Sequence, residues 1–214
     1  MDGAVFRGAA AMEELFRACL RKKERVLICF PGEGDSPGKQ ICDMVLRCGA
    51  IPVPMGEDCR WITLLRRGFS QRCGCLVGEA GVLLGLCKLA RRMGTPLYAR
   101  SCIVVGSEPD GWLLETLQTG LDCTIRGWVC PESLPQPPDP AVEQLGRELR
   151  RWSSVLDFRL ENTESGLLLE MVTFPGEKLP KLPTLAGRIL RQWNPGEDCP
   201  FLFQNLPIFC EETH

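Results

Sequence analysis

Histidine is almost absent from this sequence. The one present is His214, the last residue, so a Ser/His or Cys/His nucleophilic arrangement would have to rest on a chain terminus, where fixed geometry is uncommon. Classical hydrolase chemistry is not expected. Metal-type spacing is missing as well: the chain has 13 cysteines but no C-x-x-C pair, and its closest pair is Cys73-Gly74-Cys75. Zinc and iron–sulfur sites ordinarily carry repeated C-x-x-C spacing. Charge of one sign is lacking too, with 25 Lys and Arg against 27 Asp and Glu and a net charge of −2. The one basic cluster, Arg21-Lys22-Lys23 with Arg25, fits a helix C-terminus, and no nucleic-acid partner is expected. No apolar run approaches membrane-spanning length, and Asp2, Arg7, Glu13 and Glu14 interrupt the N-terminus. Neither a membrane span nor a signal peptide is expected, so the thiols read as reduced and the protein as cytoplasmic. Cys29, Cys42, Cys48, Cys87 and Cys102 fall within apparent strands and helices, where free cysteine acts as a small hydrophobe.

What is present is ordinary globular composition, 44% apolar and 24% charged, arranged in a regular alternation. Met12, Leu15, Phe16, Cys19 and Leu20 mark one face of an amphipathic helix over 9–22. Strand-like segments follow at 25–30, 50–54, 73–77, 101–105 and 122–126, with helix-like stretches near 38–48, 60–71, 79–93 and 110–120. Short apolar strands alternating with helices predict a doubly wound, mostly parallel α/β sheet. The glycine-rich turn after the first of these strands is no phosphate loop. Gly38-Lys39 is followed by Gln40, and Glu33 stands where the leading glycine belongs; G-x-G-x-x-G fails as well, since Pro37 takes its third position. The scattered carboxylates, Glu108 and Asp110 among them, look like acids at a helix N-terminus as much as an acid/base pair.

Near residue 131 the texture changes. PESLPQPPDP carries five prolines in ten residues and reads as a linker over 131–140, dividing an α/β core at 1–130 from a small α+β unit at 141–214. In that unit Asp139 and Pro140 start a helix with Val142, Leu145, Leu149 and Trp152 as its apolar stripe. A hairpin turns around Glu164-Ser165-Gly166, and a second helix is expected from about Thr184 to Trp193. A unit of this size is marginal alone and should dock on the first.

GAIPVP at 49–54, LYARSCIVVGSEPDGWLLETLQTGLDC at 97–123 and the strand–helix order between them resemble the middle of the adenylate-forming acid–CoA ligases, in the phenylacetate–CoA ligase branch. Gly106-Ser107-Glu108-Pro109 is similar to the family's Gly-Ala/Gly-Glu-Pro turn, which lies against the adenylate. WVCPE at 128–132 falls where the family carries Tyr-Gly-x-Thr-Glu. The resemblance implies ATP or AMP and Mg²⁺ as cofactors, with Trp128 in the aromatic position and Glu132 the glutamate that approaches the metal. Val129 and Pro131 replace the family's glycine and threonine, which removes a donor and blocks close backbone approach.

The resemblance covers residues 25 to about 132, and the 214 residues are about half the length the family implies. The Ser/Thr/Gly-rich phosphate loop should precede the first strand, yet the 24 residues there read as an amphipathic helix. Two functions follow. One is a reduced acid–CoA ligase-like protein that keeps a site for an acyl or adenylate-type ligand, with an aromatic or other carboxylic acid as partner, and completes that site with another chain or a second copy. The other is a non-catalytic scaffold or partner-binding module. In open α/β sheets ligands bind at the C-terminal strand ends, where Gly32–Gly38, Gly106–Pro109 and Trp128–Glu132 converge. Thiol or metal chemistry at Cys73 and Cys75 is a third reading.

Overall fold

The computed structural model describes residues 4–30, 37–56, 60–106, 110–130, 140–163, 166–177 and 189–197. Six parallel strands form one sheet: β1 (Ala4–Arg7), β2 (Arg25–Ile28), β3 (Ile51–Pro54), β4 (Cys75–Gly78), β5 (Ser101–Val105) and β6 (Thr124–Cys130), in the spatial order β1-β6-β5-β4-β2-β3. Their connections are the helices α1 (Gly8–Cys19), α2 (Pro37–Arg47), α3 (Trp61–Ser70), α4 (Ala80–Met93) and α5 (Gly111–Leu121). The alternation in the sequence thus becomes a doubly wound parallel sheet. Its first strand is one the periodicity does not show, because the four residues of β1 are too few to reveal a period. β1 lies at the sheet edge, with Ala4 opposite Gly127 and Arg7 opposite Cys130.

The two faces of the sheet carry separate cores. Val26 and Ile28, Cys75 and Val77, and Ile103 and Val105 point to α1 and α2 and pack with Met12, Leu15, Phe16, Ile41, Met44 and Val45. Their alternates Leu27, Leu76, Cys102, Val104 and Ile125 face α3, α4 and α5. The central strands β4 and β5 are buried along their whole length, which explains their continuous apolar runs. The prolines at 52 and 54 sit in β3, an edge strand, where a missing donor costs no ladder bond on the open side.

Three further strands, β7 (Val155–Thr163), β8 (Gly166–Thr173) and β9 (Ile189–Trp193), make a second sheet, entered through helix α6 (Pro140–Arg151). β7 and β8 are the expected antiparallel hairpin, and β9 runs parallel to β8. The helix expected over Thr184–Trp193 is corrected at its second half: Ile189–Trp193 is a strand, while 184–188 lie outside the described residues. Cross-strand partners decide the matter, since Arg191 faces buried Glu170 at 3.5 Å and Gln192 hydrogen-bonds Thr173 Oγ1. Tertiary pairing here overrides local propensity. Leu145 and Leu149 of α6 are buried as the stripe predicts, but Trp152 falls past the helix end and is exposed. The proline-rich stretch 131–139, with Asp139, lies outside the described residues.

The second sheet shares a core with the first. Leu156, Val172 and Phe174 belong to the same cluster as the buried residues of α3, α4 and α5. α4 therefore has protein on nearly every side, and Val82 through Cys87 are all buried. Gly85 marks the closest approach: a Cβ there would stand 2.6 Å from the Leu156 carbonyl oxygen and from Trp61 Cζ3. Lys88 Nζ donates to the carbonyls of Arg150, Trp152 and Val155 at 2.7, 2.8 and 2.6 Å, tying the α6–β7 junction to α4. The Ile62 amide at the start of α3 donates to Pro195 O at 3.1 Å, so the turn after β9 satisfies a helix-end donor.

Candidate functional site

β2 pairs with β3 on one side and β4 on the other, because the chain leaves β3 and returns across β2. The strand order reverses there, and in open α/β sheets the crevice at the C-terminal ends beside such a reversal is the usual ligand position. Three described features meet at that edge. Gly78 ends β4, packed so closely on β2 that a Cβ would lie 3.0 Å from Cys29 Cβ. Glu79 follows it as the residue before α4, with no side-chain capping bond. Gly106 ends β5 at φ +118°, and a Cβ on it would lie 3.7 Å from Glu79 Cγ and 3.9 Å from Glu79 Oε1. Glycine is needed at Gly106 for its backbone angle.

Glu79 is half-buried and its carboxyl has no hydrogen-bond partner among the described residues. Burial, reinforced by the nearby Asp157 carboxylate and opposed by Arg150, pushes its pKa up to about 8. Asp157, on β7, is pushed up to about 7 by burial, against the Phe158 amide that donates to its Oδ1 at 2.9 Å, Arg150 and Lys88. Lys88 is drawn down to about 8, chiefly by burial. Near neutral pH Glu79 is thus a protonated acid beside a glycine strand end. It can donate one hydrogen bond to a carbonyl or hydroxyl and accept another.

One helix beginning flanks this edge. Asp110 Oδ1 accepts from the Leu113 amide at 2.8 Å and starts α5. On the next residue but one, Trp112, the Arg151 guanidinium stands 5.5 Å from the ring centroid.

Of the residues expected from the sequence, the structure places Gly106 at this edge. Trp128 lies on β6 opposite Val104 in the neighbouring strand. Ser107, Glu108, Pro109 and Glu132 lie outside the described residues, as do Gly32 and Gly34. Glu79, Asp157, Lys88 and Arg150 were not singled out by sequence reasoning. An acid directly after a strand-like run was the available signal for Glu79; nothing local marked Asp157, which reaches the site through tertiary packing. Cys73 and Cys75 are buried, and burial pushes their thiols up to about 11 and about 12, which works against thiolate chemistry there. No group of three or more metal-type side chains gathers among the described residues, and no described helix is long and apolar enough to cross a membrane.

No protein-family model and no curated protein matches the chain. Solved structures do: an open conformation of 2-hydroxyisobutyryl-CoA ligase in complex with 2-HIB-AMP and CoA has a TM-score of 0.45 at 10% identity, over 55% of this chain and 29% of that one. The same ligase in the postadenylation state with 2-HIB-AMP gives 0.42 at 11%, over 55% and 28%. A third structure of it, in the postadenylation state with R3-HIB-AMP, gives 0.50 at 9%, over 92% of this chain and 69% of that one. The chain spans less than a third of the length of the first two. At such identities the likeness is one of fold alone.

Proposed function

We propose that this chain is a reduced acid–CoA ligase-like protein that binds an acyl or adenylate-type ligand at the C-terminal edge of β2, β4 and β5 and does not form an acyl-adenylate alone. The observation that carries the reading is the apposition of Gly106 and Glu79 across the β4–β5 pair, next to the strand-order reversal at β2, where a glycine strand end stands beside a carboxyl with no hydrogen-bond partner among the described residues. Fold likeness to a ligase solved with acyl-AMP ligands supports the ligand class, and the Gly106–Pro109 turn supports the phenylacetate–CoA ligase-like branch. In this reading Gly106 gives backbone access, Glu79 holds a proton on its carboxyl against a ligand oxygen, and Trp128, Ser107, Glu108 and Pro109 complete the nucleotide side. Glu132 is the residue that the family resemblance assigns to Mg²⁺. The protein is read as cytoplasmic, with segments 1–130 and 141–214 as its two units.

The test is ligand-detected NMR and thermal shift with AMP, phenylacetate and a non-hydrolysable acyl-sulfamoyl adenosine, alongside a pyrophosphate-release assay. Binding of the adenylate analogue, weakened by Gly106→Val and without pyrophosphate release, is the expected result. No binding at millimolar ligand overturns the site, and pyrophosphate release overturns the reduced status. The partner-binding alternative has its own observation: Phe69 of α3 and Tyr98 of the segment before β5 stack at 5.8 Å between ring centroids while both are exposed, an apolar pair on the surface.

A further inference from the structure

We propose that the end of the parallel sheet opposite the ligand edge is a docking face for an anionic membrane surface. In a parallel sheet joined by crossover helices, helix C-termini and strand N-termini lie at one end. Here that end is built from 20–25, 46–51, 69–74 and 91–101, the junctions leading into β2, β3, β4 and β5. Six large apolar side chains are exposed among the described residues, and five of them sit in these junctions: Leu46, Ile51, Phe69, Met93 and Tyr98. The sixth, Trp152, follows α6. The junctions are knit side by side. The Lys23 amide donates to Gly49 O and the Ile51 amide to Glu24 O, both at 2.8 Å, and the Arg25 guanidinium donates to Gln71 O at 3.1 Å. The Gly74 amide donates to Arg25 O and the Arg100 amide to Gly74 O, both at 2.9 Å. Phe69 stacks on Tyr98 at 5.8 Å, which joins the third junction to the fourth.

Charge selects the occupant. The four junctions hold nine Lys and Arg and one acid, Glu24, in a chain whose net charge is −2. Glu24 is turned inward, its Oε2 accepting from Arg100 at 2.5 Å. Arg92 and Arg47 meet acids from outside the junctions, Glu177 at 3.0 Å and Glu13 at 3.4 Å, and the neighbouring α5–β6 junction adds Asp122. An excess of positive charge remains. Cations complement the helix C-termini, but the dipole gives no reason for apolar side chains to stand in water among them. A second copy would set two cationic faces against each other, which like charges oppose. A protein partner would need a surface shaped to apolar tips from four junctions. A bilayer needs only that cations and apolar tips share one side, because it presents negative headgroups with hydrocarbon beneath. Tyr98 suits that boundary, with an apolar ring and a polar tip. The face points away from Gly106 and Glu79, so vesicle binding and the ligand edge stand or fall separately.

The full chain is sedimented with vesicles of equal parts phosphatidylglycerol and phosphatidylcholine, and with vesicles of phosphatidylcholine alone. Both are run at about 0.1 M and about 1 M salt, between which the Debye length falls from about 10 Å to about 3 Å. The expected result is binding to the anionic vesicles, strongly reduced at the higher salt, and little binding to phosphatidylcholine. Lys22→Gln with Lys23→Gln should weaken it about tenfold or more, since each cation at an anionic surface is worth about a five-fold change. Leu46→Ser with Tyr98→Ser should weaken it too, while Trp152→Ser, an equally exposed apolar change outside the face, should not. Thermal melts check that each variant folds, and Leu46→Ser alone carries the apolar arm if the Tyr98 change does not. The proposal is overturned by absent or charge-independent vesicle binding, or by a Trp152→Ser loss equal to that at Leu46. It is overturned in favour of a second copy by a dimer in light scattering that Leu46→Ser dissociates, and in favour of an acidic protein by binding of polyglutamate without binding of vesicles.

Discussion

Gly106 and Glu79 face each other across the β4–β5 pair, the glycine at φ +118° and the carboxyl oxygen 3.9 Å from where a side chain would begin. Room is not the constraint, since 3.7 and 3.9 Å are ordinary contacts; the backbone angle is. A β-branched residue in that region is strained by about 1–3 kcal/mol, so Gly106→Val should lower the unfolding free energy by that amount in urea titration. It should also weaken adenylate-analogue binding to the fraction that remains folded. Unchanged stability would mean that the strand end is not held in this conformation.

The raised acids make a pH signature. A carboxyl whose native pKa lies above its unfolded value binds protons more tightly when folded, so its stabilisation is complete below the unfolded pKa and is lost as pH rises through the native one. For Glu79 that window runs from 4.5 to about 8, and for Asp157 from 3.8 to about 7. Lys88 acts with the opposite dependence higher up, its contribution being lost as pH falls from 10.5 to about 8. Denaturation free energy should therefore decline between pH 5 and 8, and Glu79→Gln should flatten that decline. A variant with the parent slope would remove Glu79 from the cluster.

The α/β alternation was legible because buried parallel strands write themselves as contiguous apolar runs, as RVLI and SCIVV do. β1 and β9 were not legible for different reasons. AVFR is too short for a period, and ILRQW gains its strand conformation from Thr173 and Glu170 on β8. At the site, Gly106 could be read as a glycine turn after a strand. Asp157, by contrast, reaches Glu79 only because β7 packs on α4. Lys88 looked like any cation in a helix and turned out to hold three carbonyls. The lesson is local: sequence pattern reports what neighbours in the chain do to one another, and these contacts are between segments far apart in it.

Lys88 offers a direct measure of how firmly the second sheet is held. Its three bonds reach the carbonyls of Arg150, Trp152 and Val155 within 2.8 Å. Lys88→Met keeps the aliphatic stem and removes the donors, and because hydrogen bonds to charged groups are worth about 1.5–3 kcal/mol each and do not add fully, a net loss of about 3 kcal/mol is expected. Hydrogen exchange should speed up most at the α6–β7 junction. A loss spread evenly over the chain would argue against a local clamp.

Two glycines four residues apart in α4 test the docking of β7 itself. At Gly81 a Cβ would meet nothing within 4 Å, so Gly81→Ala should gain up to about 1 kcal/mol from helix propensity alone. At Gly85 the same methyl would be driven against Trp61 Cζ3 and the Leu156 carbonyl, both at 2.6 Å. Neither can retreat cheaply: Trp61 is fully buried, and the carbonyl belongs to the backbone of β7. Overpacking of this kind costs about 1–3 kcal/mol and more where backbone must move, so Gly85→Ala should destabilise at the upper end of that range or fail to fold. Paired thermal melts read the contrast, because propensity favours alanine at both positions, so a loss at Gly85 has to come from the contact with β7 and Trp61. Equal melting of the two variants would show that β7 does not lie against α4, and with it Asp157 would lose its place beside Glu79.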